Sequence, residues 1–282
     1  MSNPDDASST PQRPQSLLPD PESHPHSVTI VHTSDVHIGT GHKTAHDDEW
    51  PERPIADLAR MAALGREHDA DLMVIVGDFF DNNRVREPLV EATCEALRRA
   101  EMPVVILPGN HDPFMPDSVY VKYAHHFPPN AHIISREEGE LISLDEIGVQ
   151  VWGQAHTDYY DFNPVEHSPP WANHHERPLW RVVLAHGYYV KSEYETRMSY
   201  QIHPHDLEAL QAHYVGLGHL ELHEPVGPPG VTAYYSGAPD RSGGATIVRL
   251  TPQGVSAQHV RTDVPSDDGQ QDDYQYPAAG VL

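Results

Sequence analysis

Short apolar runs, each closed by a glycine, a proline or a polar cluster, recur along the 282 residues, and amphipathic stretches separate the first of them. Leu72–Val76 is the clearest case: an unbroken apolar run with β-branched residues, followed by Gly77 and Asp78. A run of that length bounded by glycine fits a strand covered on both faces. Residues 28–32 and 103–107 have the same character. Between them, residues 54–67 place Ile55, Leu58, Ala59, Ala62 and Ala63 at helical spacing, with Pro54 suited to a first turn. Residues 86–100 repeat the pattern with Leu89, Thr93, Ala96 and Leu97, and Cys94 falls where a small buried residue is expected. Alternating strands and helices joined by right-handed crossovers predict a parallel sheet whose strand exits cluster along one edge.

After Asp112 the rhythm changes to shorter strands, predicted at 131–135, 141–145 and 149–153. Residues 156–180 show no periodicity and are expected to form an insertion or lid. Strands follow at 181–185 and 214–219 around a short helix at 206–213, and three more at 232–235, 245–250 and 255–260 close the domain. Residues 1–27 and 262–282 are poor in packable side chains and rich in Pro, Ser, Asp and Gln, the composition of disordered tails. A single domain over 28–261 is the expectation.

Charge changes the picture more than composition does. The formal net charge is -24, of which residues 1–27 carry -3 and residues 262–282 carry -5, leaving -16 on the domain. Such a surface repels phosphate unless cations intervene, and it lacks the basic footprint of a general nucleic-acid binder. No apolar run approaches the roughly 18 residues of a membrane span, no basic-then-apolar leader opens the chain, and the single cysteine excludes an intrachain disulfide. A soluble cytoplasmic protein without a membrane association is therefore expected. There is no phosphate-binding P-loop, and Gly216-Leu217-Gly218 is too short for a dinucleotide fingerprint.

The candidate chemistry lies at the strand exits. Asp35, His37, Asp78, Asn110, His186 and His219 each follow a predicted strand, and Asp35 and His37, two apart, share one side of an extended backbone. Oxygen and imidazole donors without thiolates suit a pair of Mn²⁺, Fe or Zn²⁺ ions better than a closed structural zinc site. Two such ions form the clamp used for in-line displacement at phosphorus. Most of the 22 histidines cannot be ligands. His42, His46, His125, His126, His167, His174 and His175 are expected to be solvated, and His156 to reach the substrate or lie on the surface.

The ordered set Asp35-x-His37, Gly77-Asp78-x-x-Asp81, Gly109-Asn110-His111-Asp112, Ala185-His186-Gly187 and Gly218-His219 resembles the calcineurin-like metallophosphoesterase superfamily. Within it, residues 32–39 and 235–241 are similar to the SbcD-type DNA-repair exonuclease branch. The resemblance implies an α/β fold, a four-layer αββα sandwich of two mixed β-sheets flanked by helices. It implies two divalent ions, Mn²⁺ before Fe, Zn²⁺ or Mg²⁺. Asp35 and His37 would hold one, Asp78 would bridge, and Asn110, His186 and His219 would hold the other. A metal-bridging hydroxide would attack phosphorus in line. His111 would stabilise the transition state or protonate the leaving oxygen, with Asp112 orienting its ring and Asp81 in support. The family ends on Gly-His-x-His, whereas this chain reads Gly218-His219-Leu220-Glu221-Leu222-His223. Glu221, His223 or water is then left to complete the first ion's shell, and a carboxylate would favour Mn²⁺ or Mg²⁺.

The implied activity is a phosphodiesterase acting on nucleic acid or nucleotides, with an ATPase partner subunit if it is nuclease-like, or a homodimer. Too few residues follow Val260 for the capping and partner-binding segments such nucleases carry. A small-molecule phosphatase or phosphodiesterase acting on nucleotides or a lipid headgroup is the alternative. A non-catalytic scaffold of the same fold is the third reading.

Overall fold

The computed structural model describes residues 26–40, 52–171, 179–192, 195 and 197–262. The two expected tails lie almost wholly outside these, as do His42, His46, His174 and His175. The first half comprises β1 (Val28–Thr33), α1 (Glu52–Glu67), β2 (Leu72–Val76), α2 (Glu87–Arg98), β3 (Val104–Leu107), α3 (Val119–Lys122), a 3₁₀ turn (Ala124–His126) and β4 (Ala131–Ile133). The second half adds β5 (Glu140–Leu144), β6 (Val149–Gly153), β7 (Trp180–His186), β8 (Tyr188–Tyr189), β9 (Gln201–Ile202), α4 (Pro204–Ala209), β10 (Tyr214–Gly218), β11 (Glu224–Val226), β12 (Ala233–Tyr235), α5 (Pro239–Ser242), β13 (Gly244–Thr251) and β14 (Gly254–Arg261).

These strands build two six-stranded mixed sheets, ordered β14-β13-β1-β2-β3-β4 and β11-β12-β10-β7-β6-β5, with β8 and β9 as a separate parallel pair. The first sheet is parallel from β1 to β4, and the second from β6 through β7 and β10 to β12. The sheets lie face to face, and the period of two along each strand decides what lies between them. Leu72, Val74 and Val76 of β2 meet Trp180, Val182 and Leu184 of β7 and Tyr214 of β10 in the inter-sheet core. Met73 and Ile75 face the other way, onto Leu58 and Met61 of α1 and Val90 and Leu97 of α2. Burying each such side chain contributes about 1.5–3 kcal/mol relative to leaving it exposed.

The fourth layer is thin. Val183, Ala185, Val215 and Leu217 on the outer face of the second sheet are covered by Leu207 and Leu210 around α4, by Tyr189 and Ile202 of the β8–β9 pair and by Val165 from an irregular segment. The described part of residues 156–180 packs here, with Trp171 Nε1 donating to Leu210 O at 2.9 Å. The helix expected at 206–213 begins earlier, because Asp206 Oδ2 accepts from His203 N at 2.8 Å and so belongs to the first turn, behind Pro204.

Candidate metal centre

The carboxyl ends of β1, β2 and β3 in one sheet and of β7 and β10 in the other open on the same edge of the sandwich. The alternation that fills the core also aims His186. Trp180, Val182 and Leu184 point between the sheets, so His186, next on that face, points there too, where its Nδ1 donates to Val76 O at 3.0 Å. That bond fixes the tautomer and leaves Nε2 facing the loops.

Those loops continue the β1–β2 ladder without strand geometry. Asp35 N donates to Gly77 O (3.0 Å), His37 N to Asp78 O (3.0 Å), Ile38 N to Phe79 O (2.9 Å) and Asp81 N to Ile38 O (3.0 Å). Asp35, His37 and Asp78 all adopt left-handed backbone, with φ of 53°, 50° and 49°. Non-glycine residues seldom do so, and the surrounding hydrogen bonds hold them there at a cost on the order of 1–3 kcal/mol each. Two glycines make room. A Cβ on Gly77 would lie 1.8 Å from His186 Nδ1, and one on Gly109 would lie 2.2 Å from Asp78 Oδ1.

Two triads result. Asp35, Asp78 and His186, all buried, bring ligand atoms within 4.8 Å of one another, and so do His37, Asp78 and His111. Asp78 belongs to both. Its Oδ2 is 3.2 Å from His186 Nε2 and 4.0 Å from the Nε2 of both His37 and His111, while its Oδ1 accepts from His111 N at 2.9 Å. Asn110 Oδ1 sits 3.2 Å from His186 Nε2 and 3.1 Å from His219 Nδ1. His219 N donates to the Asp35 carboxylate at 3.1 and 3.2 Å. The six expected ligands at strand exits therefore converge, together with His111.

Their electrostatics are those of a site built around positive charge. Burial pushes the Asp35 carboxyl up to about 6, with His186 opposing and Asp78 adding to the rise. Burial acts the same way on Asp78, but His186, His111 and His37 outweigh it and hold that carboxyl well below the usual range. Burial alone would lower His186; the Asp78 carboxylate instead raises it to about 9. His219, partly buried beside His186, is lowered to about 4 by desolvation first and by His186 second. A divalent cation would take the lone pair that the His186 proton occupies and supply the counter-charge itself. The donors fit such ions: carboxylate, amide and imidazole atoms with no thiolate, and a buried His37 Nδ1 without a hydrogen-bond partner.

Other expected residues lie elsewhere. Asp112 does not orient the His111 ring. It is fully buried, its Oδ1 accepts from Gly109 N (2.7 Å), and its Oδ2 accepts from Phe80 N (2.9 Å) and Tyr120 Oη (2.5 Å). The ring of His111 is held instead by Asp81, whose backbone carbonyl accepts from Nδ1 at 3.1 Å. The Asp81 carboxylate lies 3.6 Å from His37 Nδ1. Glu221 turns outward to Arg241 (3.4 Å), and His223 hydrogen-bonds Thr246 Oγ1 at 2.9 Å and stacks on Tyr234. Neither joins the triads, because the chain after His219 is pulled away by Ala238 N donating to Glu221 O at 3.0 Å. His156 is neither on the surface nor at the opening. It is buried behind His186, with Nε2 donating to the His186 carbonyl at 2.9 Å, and desolvation lowers its pKa to about 3.

Tyr200 carried no sequence signal. Its ring lies 4.6 Å from that of His156 and 6.0 Å from that of His219, edge to face. Ser236, inside the 235–241 stretch, bonds Ser34 Oγ at 2.9 Å and so ties that stretch to the loop of Asp35.

Residues 28–225 match the family profile of calcineurin-like phosphoesterases. The chain belongs to this family. No curated protein is significantly similar to it in sequence. Among solved structures, it is similar to a protein of Thermus thermophilus at 13% identity and a TM-score of 0.54, over 84% of this chain and 100% of that one. It is also similar to a dimetal phosphatase from Danio rerio at 12% identity and a TM-score of 0.54, over 83% of this chain and 97% of that one. At such identities the likeness shows the shared sandwich. Family membership makes the protein a metal-dependent phosphoester hydrolase. The SbcD-type branch is a finer assignment than these matches make. Among the described residues no helix is long and apolar enough to cross a membrane.

Proposed function

We propose that the protein is a dinuclear phosphodiesterase of the SbcD-like kind that prefers Mn²⁺. The observation that supports this is Asp78, a buried carboxylate shared by two ligand triads. Asp35, His37 and Asp78 would hold one ion, and Asp78, Asn110, His186 and His219 the other. When bound, the pair supplies a Lewis acid for the phosphoryl oxygens and an acidified water for in-line attack. His111 acts on the leaving oxygen. Its Nδ1 proton is committed to the Asp81 carbonyl, so a proton at Nε2, on the partly exposed side of the ring, is the one available for transfer. Asp112 is a positioning residue that fixes the Gly109 and Phe80 backbones on either side.

Asp35 and Asp78 set two negative charges against the four of two divalent ions. The loaded centre is therefore a positive spot on an acidic protein, which draws in phosphate without a basic surface. The charge of -16 on residues 28–261 favours a second reading, a phosphatase or phosphodiesterase for nucleotides or a lipid headgroup. The SbcD-like reading carries an ATPase partner subunit with it, and a homodimer is the alternative assembly. Hydrolysis of bis-p-nitrophenyl phosphate, p-nitrophenyl phosphate, single-stranded DNA and free nucleotides by metal-stripped protein, with and without Mn²⁺, is the test. Mn²⁺-dependent turnover faster on the diester and on DNA is expected. Turnover confined to nucleotides would select the second reading, and no metal-dependent turnover on any ester would leave a non-catalytic scaffold.

A further inference from the structure

His125, exposed as expected from the sequence, and the partly buried His126 both lie beside the exposed carboxylate of Glu87 from a distant segment. They end the 3₁₀ turn Ala124–His126, and that turn lies beside the first turn of α2, which carries Glu87. His126 Nε2 is 3.1 Å from Glu87 Oε1, and His125 Nε2 is 3.8 Å from the same oxygen. The two rings sit 4.2 Å apart, tilted by 38°. Three donor atoms thus lie within 4.8 Å of one another on elements that contribute nothing to the strand-exit centre. A cavity of about 400 Å³ adjoins them, lined by both histidines and by Glu91 and Glu95 of α2. Glu91 is one helical turn from Glu87 and shares its face.

We propose that Glu87, His125 and His126 form a second, separate metal site that takes Zn²⁺. Two imidazoles and one carboxylate leave one open position of a tetrahedral zinc shell, to be filled by Glu91 or water. The bound ion ties the start of α2 to the segment after α3. Both segments frame the His111 loop. Tyr120 of α3 donates to Asp112, and Asn83, just before α2, accepts from Val119 N at 3.0 Å and donates to Pro113 O at 2.9 Å. Zinc at this position is a cross-link across the back of the catalytic loop.

The test measures zinc uptake by the full-length, chelator-stripped protein, using equilibrium dialysis with elemental analysis. Four proteins are compared: wild type, His125→Ala/His126→Ala, Asp78→Ala, and Asp78→Ala combined with the double substitution. The double substitution is expected to remove about one equivalent from either background. Glu87→Gln alone is expected to weaken that equivalent by at least about tenfold. A saturating excess of Zn²⁺ should also raise Tm further in wild type than in the double variant, by on the order of 5 °C. Equal uptake and equal Tm shifts in wild type and the double variant would overturn the site, even if Asp78→Ala fails to fold. Diesterase activity under Mn²⁺ is read separately, so failure of one proposal leaves the other standing.

Discussion

The two triads that share Asp78 differ in how they are held. Asp35 and His186 lie on the floor of the site, with His186 locked by the Val76 carbonyl on one ring nitrogen and packed where a Gly77 side chain would otherwise be. His37 and His111 stand at the mouth, and the His111 side chain is 46% exposed. His186 is placed by the core itself, because it continues the inward face of β7 that also carries Val182 and Leu184, while Asp35 is held in left-handed backbone by the Gly77 carbonyl. The outer donors are placed by loop hydrogen bonds, and the carboxylate and imidazole at 221 and 223 turn away from them. Donors fixed before an ion arrives cost less to assemble around it, so the position served by His186 should bind tightly and the one served by His37 weakly.

The largest effect should come from removing what the triads share. Asp78→Ala is expected to abolish Mn²⁺-dependent diester hydrolysis, a loss well beyond about a hundredfold in kcat/KM, since even residues behind the ligands of such sites are worth 10–100-fold. Retention of most activity would break the idea of a common bridging carboxylate. His111→Gln should lower kcat by roughly 10²–10⁴ while calorimetry records unchanged Mn²⁺ stoichiometry. Loss of one ion instead would make the ring a ligand.

Gly77→Ala strikes the centre from the His186 side, through a Cβ that would occupy the place of the His186 ring in a left-handed backbone. Its Tm should fall by roughly 5–10 °C, the size of a severe steric substitution in a domain of this length. A thermal scan showing no shift would mean that the His186 ring has another place to go. Titration of Mn²⁺ into stripped protein should resolve two unequal affinities; a single class of sites would erase the distinction drawn above. The smallest effect is expected from Glu221→Gln, less than about twofold in kcat/KM, because that carboxylate pairs with Arg241 at the surface. A large loss would show that it swings inward on loading.

What was legible in the sequence is what depends on neighbours in the chain. Leu72–Val76 announced a doubly covered strand through its own residues, and Asp78 followed from the glycine that ends it. What was hidden depends on groups far away in the chain. Asp112 was expected to serve the adjacent His111, yet Phe80, 32 residues before it, and Tyr120, 8 after it, claim one of its oxygens. His126 meets Glu87 across 39 residues, and no periodicity carries that pairing. The Gly218–His223 run resembled its family up to His219. It departs from the family pattern at Glu221, and the bond from Ala238 N to the Glu221 carbonyl, made far along the chain, is what holds that segment outward.

Asp35 and Asp78 descend from one sheet and His186 and His219 from the other, with a mainly apolar core between them that the His32–Tyr214 bond crosses. Ions seated among these four would act as rivets through the edge of a greasy seam. Loading should then slow amide exchange in β7 and β10 as well as in the loops that touch the ions. The metal content of the protein would become a gauge of how firmly its two halves are closed.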